Sequence, residues 1–207
     1  MVATTVSALA LGGGAQFDGS SERIRGDVRE RIVGSSWHPG CPVGLDKLRL
    51  LRLDHVGFDG DVHRGRLVVH RRHDDEILAV LRRLYELGFP IRRMKLIDRY
   101  GADDHRSMAA DNTSAFNCRF VAGTNRWSMH AYGTAIDINP VENPYVSGSH
   151  VSPPAGEPFA DRSRDGPGMV HAGDAVVEAF RRLAGWKWGG AWSGSPKDYQ
   201  HFSANGR

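Results

Sequence analysis

No stretch of this 207-residue chain approaches the run of roughly 18 apolar residues that a membrane-spanning helix needs, so no transmembrane segment is expected. Cysteine is scarce. Only Cys41 and Cys118 occur, in the contexts PGCP and FNCR, and neither has the CxxC spacing of a thiolate metal knuckle. Zinc-finger spacing and aromatic RNA-reading motifs are missing, and the basic residues are scattered apart from the pairs Arg71-Arg72 and Arg92-Arg93, so nucleic acid is not an expected partner. Nothing repeats, which argues against a structural array. The first 20 residues carry no positively charged n-region, although Ala8-Leu9-Ala10 resembles a secretory cleavage context. Residues 1–20 therefore read as a flexible leader or the remnant of a secretion signal.

What is present suits one folded unit. Hydrophobic residues make up 40% and charged residues 25%, near the globular norm, so 21–207 is expected to form a single domain. The formal charge of +3 leans toward anionic surfaces without naming one. If the protein is exported, Cys41 and Cys118 can bridge; two buried free thiols are the alternative. A bridge would close a loop of about 77 residues, worth roughly 4 kcal/mol in the chain-entropy treatment.

Periodicity places the elements. Ser21 to Val33 reads as a short charged helix stopped by Gly34. From Leu48 to His70, two strand-like runs flank Gly57-Phe58-Asp59-Gly60, a hairpin signal. A helical stripe follows at Ile77, Leu78, Val80, Leu81, Leu84 and Leu87, opened by Asp74, Asp75 and Glu76 and closed by Gly88 and Pro90. IRRMKLID and TSAFNCRFV read as strands, with a polar loop over 100–113 between them. The Pro- and Gly-rich stretch 143–168 reads as a substrate-side loop, Gly173 to Leu183 as a helix, and WKWGG and YQHFS as closing strands. Without a regular βαβ rhythm, the order implies an α+β fold with a mainly antiparallel sheet flanked by helices.

Chemistry concentrates in two segments, SMHAYGTAIDIN (Ser128 to Asn139) and WGGAWSGSPKDYQHFS (Trp188 to Ser203). They supply His130, Asp137 and His201, with Asp198 close by. Two imidazoles and one carboxylate suit zinc and leave a fourth tetrahedral position for water, as a catalytic rather than a structural site requires. Seven residues separate His130 from Asp137, more than one helical repeat, so a turn at Gly133 must bring them together. Asp198 and His201 would point to opposite faces of a regular strand, so Asp198 must precede the strand or sit on a bulge.

SMHAYGTAIDI and DYQHF resemble the paired signatures SxHxxGxAxD and (D/E)xxH of the zinc D,D-peptidases of bacterial cell walls. That family comprises the VanY-type D-alanyl-D-alanine carboxypeptidases and the L-alanyl-D-glutamate endopeptidases of phage lysins. The resemblance spans roughly 48–203 and implies a hedgehog/DD-peptidase-like fold. It implies one Zn2+ per chain on His130, Asp137 and His201. Asp198 becomes the general base, taking a proton from zinc-bound water and passing it to the leaving amine. Arg119, in AFNCR, stands where the family has the Arg that polarises the scissile carbonyl, although the surrounding wording differs; Arg126 is a second cation nearby. Ser128, Tyr132 and Trp192 become substrate-side candidates, while His38, His105, His150 and His171 match neither signature.

The implied function is hydrolysis of a peptidoglycan stem-peptide bond by a monomer, secreted or wall-associated in bacteria or acting as a phage lysin. Asp at position 198 and the wording WGGAW resemble the endopeptidase branch, with carboxypeptidase action as the alternative. Because the hedgehog signalling domain shares the scaffold, a catalytically silent wall-binding or signalling module is the competing class.

Overall fold

The computed structural model describes residues 16–207. Strand β1 (Gly19–Arg23) leads to helix α1 (Gly26–Ile32) and then to the long hairpin of β2 (Leu48–Val56) and β3 (Val62–His70). The sheet runs β1-β2-β3, antiparallel throughout, with Leu51 opposite Leu67 and Leu50 opposite Val68. Most of the expected leader, 1–15, lies outside the described residues. Gly19 and Ser20 belong to β1, paired with Leu53 and Arg52, so ordered structure begins before residue 21. The helix expected from Ser21 starts only at Gly26, because Ser20 to Arg23 are taken up as this edge strand.

Both faces of the hairpin are covered, which explains why LRLLRL lacks clean alternation. Leu51, Leu53, Leu67 and Val69 point into one core with Ile77, Val80, Leu81 and Leu84 of α2 (Asp74–Glu86). Leu48, Leu50 and Val68 point the other way, against Val28 and Ile32 of α1, Phe116 and Cys118. The α2 stripe is as the periodicity expects, except that Leu87 at its end is exposed. Gly88, at φ +65°, terminates the helix where a side chain would be strained. Cys41 and Cys118 are disulfide-bonded across a sequence separation of 77.

Beyond Pro90 the structure departs from simple periodicity. The segment read as a strand, IRRMKLID, makes only the isolated bridge Met94 to Thr113 before a 3-10 turn at Ile97–Tyr100. Its backbone is satisfied partly by single main-chain bonds, Ile91 N to Val56 O and Arg66 N to Met94 O, and partly by asparagine side chains: Asn112 accepts from Lys95 N at 2.9 Å and donates to Lys95 O at 3.0 Å, and Asn139 Oδ1 accepts from Arg92 N. The expected polar loop holds helix α3 (Asp104–Ala109), capped by Asp103. The stretch TSAFNCRFV is not a strand either. Its amides change partner every two residues, from Asp137 O (Ser114) to Val68 O (Phe116) to Ser36 O (Cys118).

The remaining strands are short. β4 (Ala135–Asp137), β9 (His201–Ser203) and β7 (Lys187–Trp188) make one antiparallel sheet in the order β4-β9-β7. β6 (His150–Ser152), β5 (Tyr145–Ser147) and β8 (Lys197–Asp198) make another in the order β6-β5-β8, so the expected loop 143–168 is a structured wall. Helix α4 (Ala175–Ala179), capped by Asp174, runs into a π-helical turn at Phe180–Ala184 and buries Val176 and Phe180. Mixed helices and antiparallel sheets confirm the α+β expectation. Among the described residues no helix is long and apolar enough to cross a membrane.

Candidate metal centre

Register assembles the centre. Asp137 and His201 are direct cross-strand partners in β4 and β9, so their side chains leave the sheet on the same face. The next pair, Ile136 and Phe202, points to the opposite face, where Phe202 stacks on Phe180 with ring centroids 4.0 Å apart. One residue of slip would send the carboxylate and imidazole into that apolar core. Asp137 is fixed on its other edge by paired backbone hydrogen bonds with Ser114 at 2.9 and 3.1 Å.

His130 comes from a 3-10 turn, Met129–Tyr132, whose first amides are capped when Ser128 Oγ accepts from His130 N at 3.3 Å. Gly133 closes the turn at φ +68°, and its carbonyl accepts from His70 N of β3. A Cβ at this glycine would lie 2.7 Å from His70 N, so both the conformation and the close approach require glycine. The turn expected at Gly133 is therefore present, seated on the long hairpin.

The three side chains converge. His201 Nδ1 lies 3.0 Å from Asp137 Oδ1, His130 Nε2 lies 3.1 Å from Asp137 Oδ2, and the two imidazole nitrogens lie 3.3 Å apart. A tetrahedral ion with donors at about 2.0–2.1 Å spaces them roughly 3.3–3.4 Å apart, so the set fits zinc closely. The outer nitrogens reinforce the fit. His130 Nδ1 donates to Ala115 O at 2.5 Å and His201 Nε2 to Arg207 O at 3.1 Å, which fixes each tautomer with its lone pair facing inward. All three residues are buried.

Electrostatics within the trio are strong. Burial alone would raise the Asp137 carboxyl, yet His130 and His201 hold it well below the usual carboxylate range. Burial alone would depress His201, yet its hydrogen bond and ion pair with Asp137 push it up to about 9. A metal ion and an added proton therefore compete for this imidazole. A second group of potential ligands, His38, Cys41 and Cys118, is different in kind: its sulfurs are joined in the disulfide.

Asp198 ends β8, opposite Tyr145, and the chain bends through Tyr199 and Gln200 before β9 begins at His201. Asp198 thus precedes the strand that carries His201 and belongs to a different sheet. Gly189 permits this, since a Cβ there would stand 2.5 Å from Asp198 O. The Oδ1 atom is enclosed without a hydrogen-bond partner. Burial pushes the Asp198 carboxyl up to about 6, His201 opposes that rise, and the charge of Asp137 adds to it.

The other candidates are placed as follows. Arg119 is ion-paired with Asp104 of α3 at 2.7 Å, and the Asp104 charge in turn reaches Asp198. Ser128 is buried in its capping role, and Tyr132 is 37% exposed. Trp192 donates its indole N–H to Gly206 O at 2.7 Å, with its ring 6.0 Å from that of His201. Sequence reasoning missed Asp104 and the main-chain oxygens of Ala115 and Arg207, for which a single sequence carries no signal. It also missed Arg162, whose guanidinium donates to Glu142 O, Phe159 O, Asn143 Oδ1 and Val170 O and lies 4.7 Å over the Tyr199 ring.

Residues 122–204 match the family model described as D-alanyl-D-alanine carboxypeptidase. This segment resembles the zinc D,D-peptidase family. It contains His130, Asp137, Asp198 and His201, and covers less than half of the chain. Neither the curated proteins nor the solved structures give a match. A D,D-peptidase segment with a His-Asp-His centre supports a metallopeptidase of cell-wall type.

Proposed function

We propose that the chain hydrolyses a peptide bond in the peptidoglycan stem peptide, using one zinc ion held by His130, Asp137 and His201. One observation carries this reading: two imidazoles with outer nitrogens tied to main-chain oxygens turn their inner nitrogens toward one carboxylate. When bound, zinc supplies Lewis acidity to a carbonyl and makes a coordinated water more acidic.

The protein groups divide the remaining work. Asp198 is the general base, because its enclosed Oδ1 has no competing donor and burial brings its proton affinity toward neutrality. It accepts a proton from the attacking water and returns it to the leaving amine. Arg119 donates to the carbonyl oxygen as negative charge develops there, and Asp104 sets its position. Ser128 holds the His130 turn, while the exposed Tyr132 ring offers a surface to the peptide.

Asp at position 198 and the wording WGGAW favour an internal bond, L-alanyl-D-glutamate, as in the endopeptidase branch that the sequence resembles. Terminal D-alanyl-D-alanine is the second reading, suggested by the family description. The disulfide supports action in an oxidising compartment, secreted or at the wall.

Defined stem peptides incubated with the zinc-loaded protein and analysed by mass decide among these readings. Release of L-alanine from the remainder supports the endopeptidase, and loss of one terminal D-alanine supports the carboxypeptidase. Zinc binding without cleavage of any substrate leaves the silent wall-binding or signalling module.

A further inference from the structure

The final residues of the sequence fold back onto the centre. Ser203, at the end of β9, is fully buried, and its Oγ donates to Arg207 O at 2.9 Å beside the 3.1 Å bond from His201 Nε2. Arg207 N donates to Asn205 Oδ1 at 2.9 Å, and Gly206 N donates to Ser203 O. Gly206 turns at φ +81°, and its carbonyl accepts the Trp192 indole N–H at 2.7 Å. Ala204 N is tied to Thr134 O at 3.0 Å, one residue before β4. Two of these bonds converge on one main-chain oxygen, that of Arg207, which accepts both from the outer nitrogen of His201 and from a buried hydroxyl, while the others hold the loop that carries it.

We infer that the loop 204–207, latched by Trp192 and Ser203, is a positioning element that sets the tautomer and orientation of His201 through the Arg207 oxygen. The inference rests on the zinc reading of His130, Asp137 and His201. The two imidazoles differ here. His130 is oriented by Ala115 O, whose residue is buried and adjoins the Ser114 to Asp137 bridge. His201 is oriented from an exposed loop that only a few hydrogen bonds hold in place. Trp192 therefore serves mainly as a strut: its indole nitrogen is committed to Gly206 O while its ring lies beside His201. A ligand imidazole that loses its outer acceptor can rotate or present the other tautomer, and such outer partners typically contribute about 10- to 100-fold in metal affinity.

The test compares zinc affinity, by competition with a chromophoric chelator, in the full chain and in Trp192→Phe, Ser203→Ala and Asn205→Ala. Each variant keeps the ring or backbone in place while removing one tie. A drop of about 10-fold or more in zinc affinity is expected for Trp192→Phe and Ser203→Ala, with a smaller drop for Asn205→Ala. Nitrogen-15 histidine spectra of the zinc form supply the readout that altered packing would not move. The His201 Nε2 proton should be protected from exchange with water in the full chain and exposed in the variants, while the His130 Nδ1 proton is unchanged. Equal zinc affinity and equal His201 protection in all four proteins overturn the latch. A full chain that binds no zinc overturns the metal reading and the latch with it. If Ser203→Ala does not fold, Trp192→Phe and Asn205→Ala decide.

Discussion

The long hairpin and the metal centre are built by opposite means. β2 and β3 are nine residues each and paired along their whole length, and apart from the exposed start of β3 at Val62, His63 and Arg64 they are covered on both faces, largely by leucines and valines. The strands carrying the centre are two or three residues long, and between them the backbone is held by Asn112, Asn139, Asn143 and Arg162 side chains. A hairpin tolerates local error because each pair is one of many. The centre does not, since His130, Asp137, Asp198 and His201 arrive on separate short elements, and each needs its own tether. The regular half therefore supplies a floor, seen where Gly133 seats on His70, and the irregular half supplies geometry.

The sharpest break in that comparison is chemical. Asp198→Asn preserves shape and should leave zinc affinity nearly unchanged while lowering turnover by about 10²- to 10⁴-fold. Steady-state rates beside metal titration check this, and retained activity would move the base elsewhere.

A pair of substitutions probes the two halves directly. Leu81→Ala, in the core beneath the hairpin, should destabilise by about 2–5 kcal/mol without altering zinc affinity. Asn143→Ala removes donors to Ile138 O, Asn139 O and Gly168 O and the acceptor for Val170 N and Arg162. Each buried group left unpaired costs about 1–3 kcal/mol, and here the loss should extend to turnover, because Asn143 adjoins the wall that holds β8. Denaturant unfolding and kinetics on both variants separate the cases. Equal effects on activity would show that the halves are not distinct.

The smallest effect is a pH dependence on the irregular side. Burial, then the neighbouring Asp111 carboxyl, pushes Glu142 up to about 7, with Arg92 opposing. The folded protein then holds this proton more tightly than the unfolded chain, so the contribution is complete below about pH 4.5 and is lost as pH rises toward 7. The expected loss is on the order of 1–3 kcal/mol, and Glu142→Gln should flatten it. Unfolding curves between pH 5 and 8 provide the check.

Much of this was legible in the chain. The hairpin and α2 follow from apolar spacing, because long elements repeat their pattern often enough to be read. His130, Asp137 and His201 stood out because metal binding restricts the residue types at each place, and the condition that Asp198 precede the strand followed from the two-residue period. IRRMKLID and TSAFNCRFV misled for one physical reason. Their apolar residues face a core, but their hydrogen bonds are divided among asparagine side chains and single main-chain groups of several elements, β3 and β4 included, and never run along one paired strand.

The sequence alone thus determined the candidate donors: His130, Asp137 and His201, two imidazoles and a carboxylate of a kind that can bind a metal, with the Asp198 carboxylate close by in the chain. Only the tertiary structure decided how they are held. It placed Asp137 opposite His201, paired Arg119 with Asp104, and gave each imidazole an outer oxygen, Ala115 for one and Arg207 for the other. Those choices depend on main-chain oxygens, which every residue carries, and on contacts between residues far apart in the chain. No residue type or local spacing encodes them.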